Sequence, residues 1–99
     1  MPDVRFGREA ENDLLSIYDF IADAAGETTA ARFIARVEQA VLALESFSDR
    51  GRRRDDLSSG IRSLAFERRL TIFYQVSSAS VDIVRVLYAG RDLGREDWH

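Results

Sequence analysis

The chain has 99 residues, of which 45% are apolar and 31% are charged, and its net charge is −3. This length and balance predict one globular domain spanning residues 1–99, not a disordered or membrane-spanning chain. The sequence has no cysteine and one histidine, His99, which argues against thiolate catalysis, disulfides, zinc sites and Ser–His–Asp triads. No basic and apolar leader is visible, so we expect a cytoplasmic protein, with no cofactor, no metal and no membrane contact.

Charge is spread unevenly along the sequence. Residues 1–49 contain 4 arginines against 10 acidic residues, a net −6, and residues 50–99 contain 10 arginines against 7 acidic residues, a net +3. All 14 basic residues are arginine, which binds carboxylates and phosphates through a forked guanidinium but cannot act as a general base. The two halves indicate either two interaction surfaces or ordinary solvated faces, and they do not fit a general nucleic-acid-binding protein.

The first half of the chain predicts a short strand and two helices. Residues 4–6 alternate as a strand does, and Gly7 and Gly26 bound the first helix. Thr28 or Thr29 can begin the second helix, which makes an antiparallel helical hairpin. Apolar residues recur at helical spacing on both helices: Ala10, Leu14, Ile17, Tyr18, Ile21 and Ala25, then Phe33, Ile34, Val37, Val41, Leu44 and Phe47.

The second half of the chain predicts strands. Residues 48–60 have no apolar period and are expected to form a long charged loop, before strands at about 61–67, 70–77 and 81–89. The short links between these strands favour an antiparallel meander. The predicted fold is α+β in the order β-α-α-β-β-β, with the hairpin packed on one face of a small antiparallel sheet.

Both alternating sets of the last strand are mostly apolar, which is unusual for a strand covered on one face. The hairpin can cover only one face of the sheet, so we expect an exposed apolar patch on the other face, with Arg85 inside it. The charged loop, the tail at 91–99 or a second copy of the chain could equally cover that face.

The sequence resembles the ParE toxins of bacterial type II toxin–antitoxin systems. The resemblance extends over residues 4–92 in order and spacing, and no single segment carries it alone. The segments are 10–14 (AENDL), 17–22 (IYDFIA), 31–34 (ARFI), 44–47 (LESF), 50–52 (RGR), 60–64 (GIRSL), 72–76 (IFYQV), 84–88 (VRVLY) and 91–92 (RD).

This resemblance implies a toxin that is neutralised by a co-produced, ParD-like antitoxin whose C-terminal segment wraps it. It implies DNA gyrase as the target, and contact with DNA only through the antitoxin, which would carry a ribbon-helix-helix part. Related RelE-like toxins cut mRNA on the ribosome. A third alternative is an inactive relative that only helps its antitoxin bind the operator.

Ribonuclease chemistry is poorly supported by the residues. Cleavage of RNA without metal needs acid–base groups and cations for the phosphate. RelE-like nucleases supply these from lysines, an arginine and a basic, tyrosine-containing tail. Here lysine is absent, Glu67 stands near the arginine position, and the tail has no tyrosine. We therefore predict no catalytic residues and a protein that acts by binding.

Several residues are candidates for contacts with partners. The run of arginines at 50–54 could bind phosphate, or it could pair with the aspartates that flank it. Arginines within strands need acceptors, which could be Asp82 or Glu67 of this chain, or an antitoxin carboxylate. The candidate antitoxin contacts are Arg62, Ile83, Arg85 and Leu87. The candidate target contacts are Arg52, Arg53, Arg91 and Trp98.

Overall fold

The computed structural model of the chain describes residues 3–88. Its helices and strands follow the predicted order. In chain order they are β1 (Asp3–Phe6), α1 (Arg8–Ala25), α2 (Glu27–Leu42), two 3-10 turns (Ala43–Glu45 and Ser48–Arg50), β2 (Arg52–Arg53), β3 (Ile61–Phe66), β4 (Leu70–Val76) and β5 (Ser80–Tyr88). The α+β class and the position of the helical hairpin are thereby confirmed.

A single glycine joins the two helices. Gly26 has φ +95°, a conformation that costs glycine little and other residues more. Its N–H donates to the Ala22 carbonyl at 2.9 Å, and its own carbonyl accepts the Ala30 N–H at 3.1 Å. The predicted caps at Thr28 and Thr29 are wrong, because α2 already begins at Glu27.

The predicted antiparallel meander is confirmed in β3, β4 and β5, and the parallel pairing of β1 makes the whole sheet mixed. Its strand order is β1-β5-β4-β3-β2, and β1 pairs in parallel with β5. The sequence showed β1 as a strand but carried no local signal for a partner almost 80 positions away. The segment 48–60, predicted to be a loop, contains the two-residue strand β2, which pairs with β3. Two residues are too few to show the alternation by which a strand is predicted.

Both helices pack on one face of the sheet around a single core. The aromatic rings of Phe33, Phe66 and Tyr88 form edge-to-face contacts at one end of it. The buried members of the core are Ala10, Ile17, Ile21, Ala30, Phe33, Val37, Val41, Leu44, Leu70, Ile72, Tyr74, Val81, Ile83, Val86 and Tyr88. The helical stripes are confirmed except at two positions. Ala25 is exposed, and Phe47, beyond the end of α2, is 64% exposed.

A β-bulge at Val84 explains the apolar character of both alternating sets in β5. Phe73 pairs with Arg85 whereas the next residue, Tyr74, pairs with Ile83. Val84 therefore has no opposite residue, and the side-chain alternation changes phase there. Residues on both sides of the bulge consequently belong to the same core: Val81, Ile83, Val86 and Tyr88.

The second face of the sheet is not the exposed apolar patch that we expected. Across residues 3–88, the large apolar side chains that are exposed all lie on helices or turns: Leu15, Phe20, Leu42 and Phe47. On the second face, Phe73 is buried and Leu87 is half-buried. The bulge puts the apolar residues before and after it into different alternating sets of the sequence. We therefore predicted two apolar faces where the structure has one.

Candidate interaction surfaces

Asp13 of α1 hydrogen-bonds to the backbone of β5 beyond the last residue of β5 that pairs with β1. Strand β1 stops pairing at Phe6, whose partner on β5 is Ile83, three residues before Val86. Asp13 Oδ2 accepts the Val86 N–H at 2.9 Å. The same carboxylate accepts two hydrogen bonds from Arg85, at 2.8 Å from Nε and 3.0 Å from Nη2. Asp13 thus accepts hydrogen bonds both from a backbone N–H of β5 and from a guanidinium that is nearly buried.

Two predicted antitoxin contacts are therefore not on an open surface. Ile83 is fully buried in the core. The Arg85 side chain is only 13% exposed and pairs with Asp13, not with Asp82 or Glu67 as we had considered. The sequence did not indicate the burial of these two residues, because the bulge in β5 and the contact with Asp13 both depend on which segments of the chain meet.

Arg62 and Tyr74 fix the segment that follows the helices. The Arg62 guanidinium donates to the carbonyls of Gly51 at 2.8 Å and Asp49 at 3.3 Å. The Tyr74 hydroxyl donates to the Ser48 carbonyl at 2.8 Å and accepts the Gly51 N–H at 2.7 Å. Burial raises the pKa of Tyr74 above its ordinary value. The predicted antitoxin contact Arg62 is thus held by this chain's own backbone and is partly buried.

Gly51 is required for space, not for backbone freedom. Its φ is −74°, which any residue can adopt. A Cβ atom at this position would lie 2.4 Å from the Tyr74 hydroxyl oxygen, well inside contact distance. A glycine is needed here because the backbone approaches the Tyr74 side chain closely.

The arginine run largely pairs with its own aspartates. Arg53 contacts Asp55 at 2.9 Å, and Arg54 forms two bonds of 3.0 Å with Asp56. Arg52, on the exposed strand β2, forms no ion pair within the part of the chain that is described. Of the predicted target contacts, Arg52 and Arg53 are therefore exposed and next to each other, whereas Arg91 and Trp98 lie outside the described residues.

An apolar groove that we did not predict lies between α1, α2 and β1. It has a volume of about 350 Å³, and glutamates stand among its apolar side chains. Leu15 is 66% exposed there, because it falls one position off the buried stripe of α1. The Leu14–Leu15 pair was the only sequence signal. The lining residues are Phe6, Glu11, Leu14, Leu15, Tyr18, Ile34 and Glu38.

Three of the described residues that carry acid–base groups are engaged in contacts within the chain: Glu67, Tyr74 and Tyr88. The pKa of Glu67 lies below its ordinary value, because Arg36 donates two hydrogen bonds to it at 2.8 and 3.0 Å. Tyr74 and Tyr88 are buried in the core. Residues 3–88 hold no cluster of three metal-ligating side chains, and no helix in this range is long and apolar enough to cross a membrane.

Comparison with known proteins agrees with this architecture. The family model described as the ParE toxin of the type II toxin–antitoxin system parDE matches residues 4–93. A solved structure titled "Chromosomal ParDE TA system from P. aeruginosa" superposes with a TM-score of 0.78 at 25% identity, covering 89% of this chain and 96% of that chain. No curated protein matches significantly. Because the family model covers most of the sequence, the chain belongs to the ParE family of type II toxins.

Proposed function

We propose that this ParE-family toxin acts by binding to DNA gyrase and inhibiting it, and that a cognate ParD-like antitoxin neutralises it. The observation that carries this proposal is the family match over residues 4–93. The solved structure with the same fold comes from a ParDE system, which supports an antitoxin partner. A toxin of this family is generally not an enzyme, in keeping with action through a contact surface.

The groove between α1, α2 and β1 is the proposed docking site for the antitoxin. It replaces the sheet face, where Ile83 and Arg85 are withdrawn from solvent. Its apolar lining suits the apolar side of an amphipathic helix, and Glu11 and Glu38 suit basic residues along the borders of that helix. Contact with the partner would cover Leu15, which the free chain leaves 66% exposed.

The target is tested by measuring supercoiling by purified gyrase beside translation in a cell extract, with the purified chain added to each. Gyrase inhibition predicts loss of supercoiling while translation continues. Loss of translation with normal supercoiling would instead indicate a RelE-like ribonuclease. Normal growth of bacteria that express the chain alone would indicate an inactive relative that serves as a corepressor.

The docking site is tested with two exposed positions on opposite sides of the molecule. Leu15→Glu places a charge in the groove, and it should weaken antitoxin binding about tenfold or more, since burial of a leucine contributes about 1.5–3 kcal/mol. Ala65→Glu, on the second face of the sheet, is the matched control and should bind normally. Normal binding by Leu15→Glu together with weakened binding by Ala65→Glu would instead indicate an antitoxin site on the second face of the sheet. Both variants should still inhibit gyrase.

A further inference from the structure

Three arginines surround a small cavity that the proposed function does not use. The cavity has a volume of about 240 Å³ and lies between the first turns of α2 and the turn that joins β3 to β4. We refer to it as the arginine pocket, and its lining residues are Ile21, Thr29, Arg32, Phe33, Arg36 and Arg69. We propose that the arginine pocket binds a phosphate group.

One arginine of the pocket is already positioned. The guanidinium of Arg36 lies 5.5 Å from the ring centre of the buried Phe33. Glu67 holds the same guanidinium by two hydrogen bonds. Because arginine stacks on aromatic rings and binds oxyanions through a planar fork, this arrangement presets the floor of an anion site.

The other two arginines lack an acceptor. Neither Arg32 nor Arg69 forms an ion pair among residues 3–88. Arg32 and Arg36 are one turn apart on α2, where like charges repel and weaken a helix. Three guanidinium groups meet a single carboxylate at this place, that of Glu67. An anion bound between them would relieve the repulsion.

The turn that carries Arg69 is strained. Glu67 and Arg68 have φ values of +50° and +60°, a conformation unfavourable for residues other than glycine and asparagine. The Phe66 carbonyl accepts the Arg69 N–H at 3.1 Å and closes the turn. Strain of this kind is concentrated at functional sites, and here it fixes the backbone beside the pocket.

Phosphate fits the pocket better than a carboxylate does. A carboxylate carries one negative charge, whereas a phosphate group carries about −1.5 to −2 at neutral pH and offers three or four oxygens to Arg32, Arg69 and the Thr29 hydroxyl. The cavity is also smaller than the roughly 300–1,000 Å³ typical of sites for whole small molecules. It therefore accommodates one charged group, from a free nucleotide or from a nucleic-acid strand.

The test is NMR titration of the full chain with inorganic phosphate at constant ionic strength, with acetate as the carboxylate comparison. Shifts should concentrate at α2 and the β3–β4 turn. Arg32→Gln with Arg69→Gln should weaken phosphate binding about tenfold or more, by loss of charge-assisted hydrogen bonds. Arg5→Gln with Arg8→Gln, which also removes two exposed arginines but outside the pocket, is the matched control and should bind as the unchanged chain does.

Further measurements identify which kind of molecule supplies the phosphate group and test whether the Glu67 carboxylate competes with it. A 5′-mononucleotide that binds as tightly as a short single strand identifies a nucleotide site, and tighter binding of the strand identifies a nucleic-acid site. Glu67→Gln should strengthen phosphate binding, because it removes the negative charge that competes with phosphate, while the amide oxygen can still accept a hydrogen bond from Arg36. Equal binding of acetate and phosphate, or unchanged binding after loss of Arg32 and Arg69, would overturn the proposal.

Discussion

Arg85 and Arg54 make nearly the same contact in two very different regions. Each forms two hydrogen bonds of 2.8–3.0 Å with one aspartate. The Arg85 partner is 72 positions away and both side chains are less than one-fifth exposed, whereas the Arg54 partner is two positions away and is 64% exposed. Bond geometry is therefore no guide to stability. Burial and the length of chain that a contact joins decide its contribution.

Removal of Asp13 should have the largest effect. Asp13→Ala removes two hydrogen bonds of 2.8 and 3.0 Å from the Arg85 guanidinium, from which the Glu9 carboxylate is 3.8 Å away, and it removes the acceptor of the Val86 N–H. We expect a loss of about 3 kcal/mol or more in the free energy of unfolding, as for other broken buried ion pairs. Urea denaturation measures it. Asp19→Ala, at an exposed position of the same helix, is the control, and an equal loss in both variants would contradict this account of β5.

The Tyr74 hydroxyl should have the next largest effect. Tyr74→Phe removes the acceptor of the Gly51 N–H and the donor to the Ser48 carbonyl. Each buried hydrogen bond lost costs about 1 kcal/mol, and more where a partner stays unsatisfied, so we expect about 2 kcal/mol. Tyr18→Phe is the matched control, because no hydrogen bond of its hydroxyl is found among residues 3–88.

The same substitution has a signature at alkaline pH. Because the folded-state pKa of Tyr74 is raised, the folded protein keeps a proton that the unfolded chain releases at its ordinary pKa. Stability should therefore fall as the pH rises above that ordinary value, and Tyr74→Phe should reduce the fall. An identical alkaline decline in both proteins would show that Tyr74 ionises normally.

The sequence predicts those parts of the fold in which apolar residues repeat at short, regular intervals. The stripes of α1 and α2 and the three main strands repeat within a few residues of one another, so each is visible by itself. The bulge at Val84, the parallel pairing of β1 and the Asp13–Arg85 contact depend on which segments meet. None of them leaves a repeat in the sequence, and the prediction of a second apolar face failed for that reason.

The candidate sites followed the same rule. Arg52 and Arg53, which we predicted as target contacts, are exposed, because a run of arginines can hardly be buried. The groove at Leu15 and the arginine pocket were missed, since both are formed by residues from different elements. The four-residue spacing of Arg32 and Arg36 is visible in the sequence, but only the structure places Arg69 beside them.

The smallest expected effect lies in the charged segment and separates two neighbouring aspartates. Asp55 accepts the Gly60 N–H at 3.1 Å, and this bond is the main cause that lowers its pKa, ahead of the Arg53 charge. The hydrogen bond from Arg54 is the main cause for Asp56. Arg53→Gln should therefore leave most of the lowering at Asp55, whereas Arg54→Gln should return the pKa of Asp56 towards its ordinary value.

NMR titration of the two carboxyl carbons measures both changes. A lowered folded-state pKa contributes stability above the ordinary pKa of aspartate and loses it as the pH falls through the folded-state value. Both carboxylates are exposed, so the unfolding midpoint should barely move in either variant. If Asp55 instead returns to its ordinary pKa in Arg53→Gln, side-chain charge and not the backbone N–H of Gly60 orders this segment. The charged segment and β5 would then differ in the burial of their ion pairs, but side-chain charge would order both.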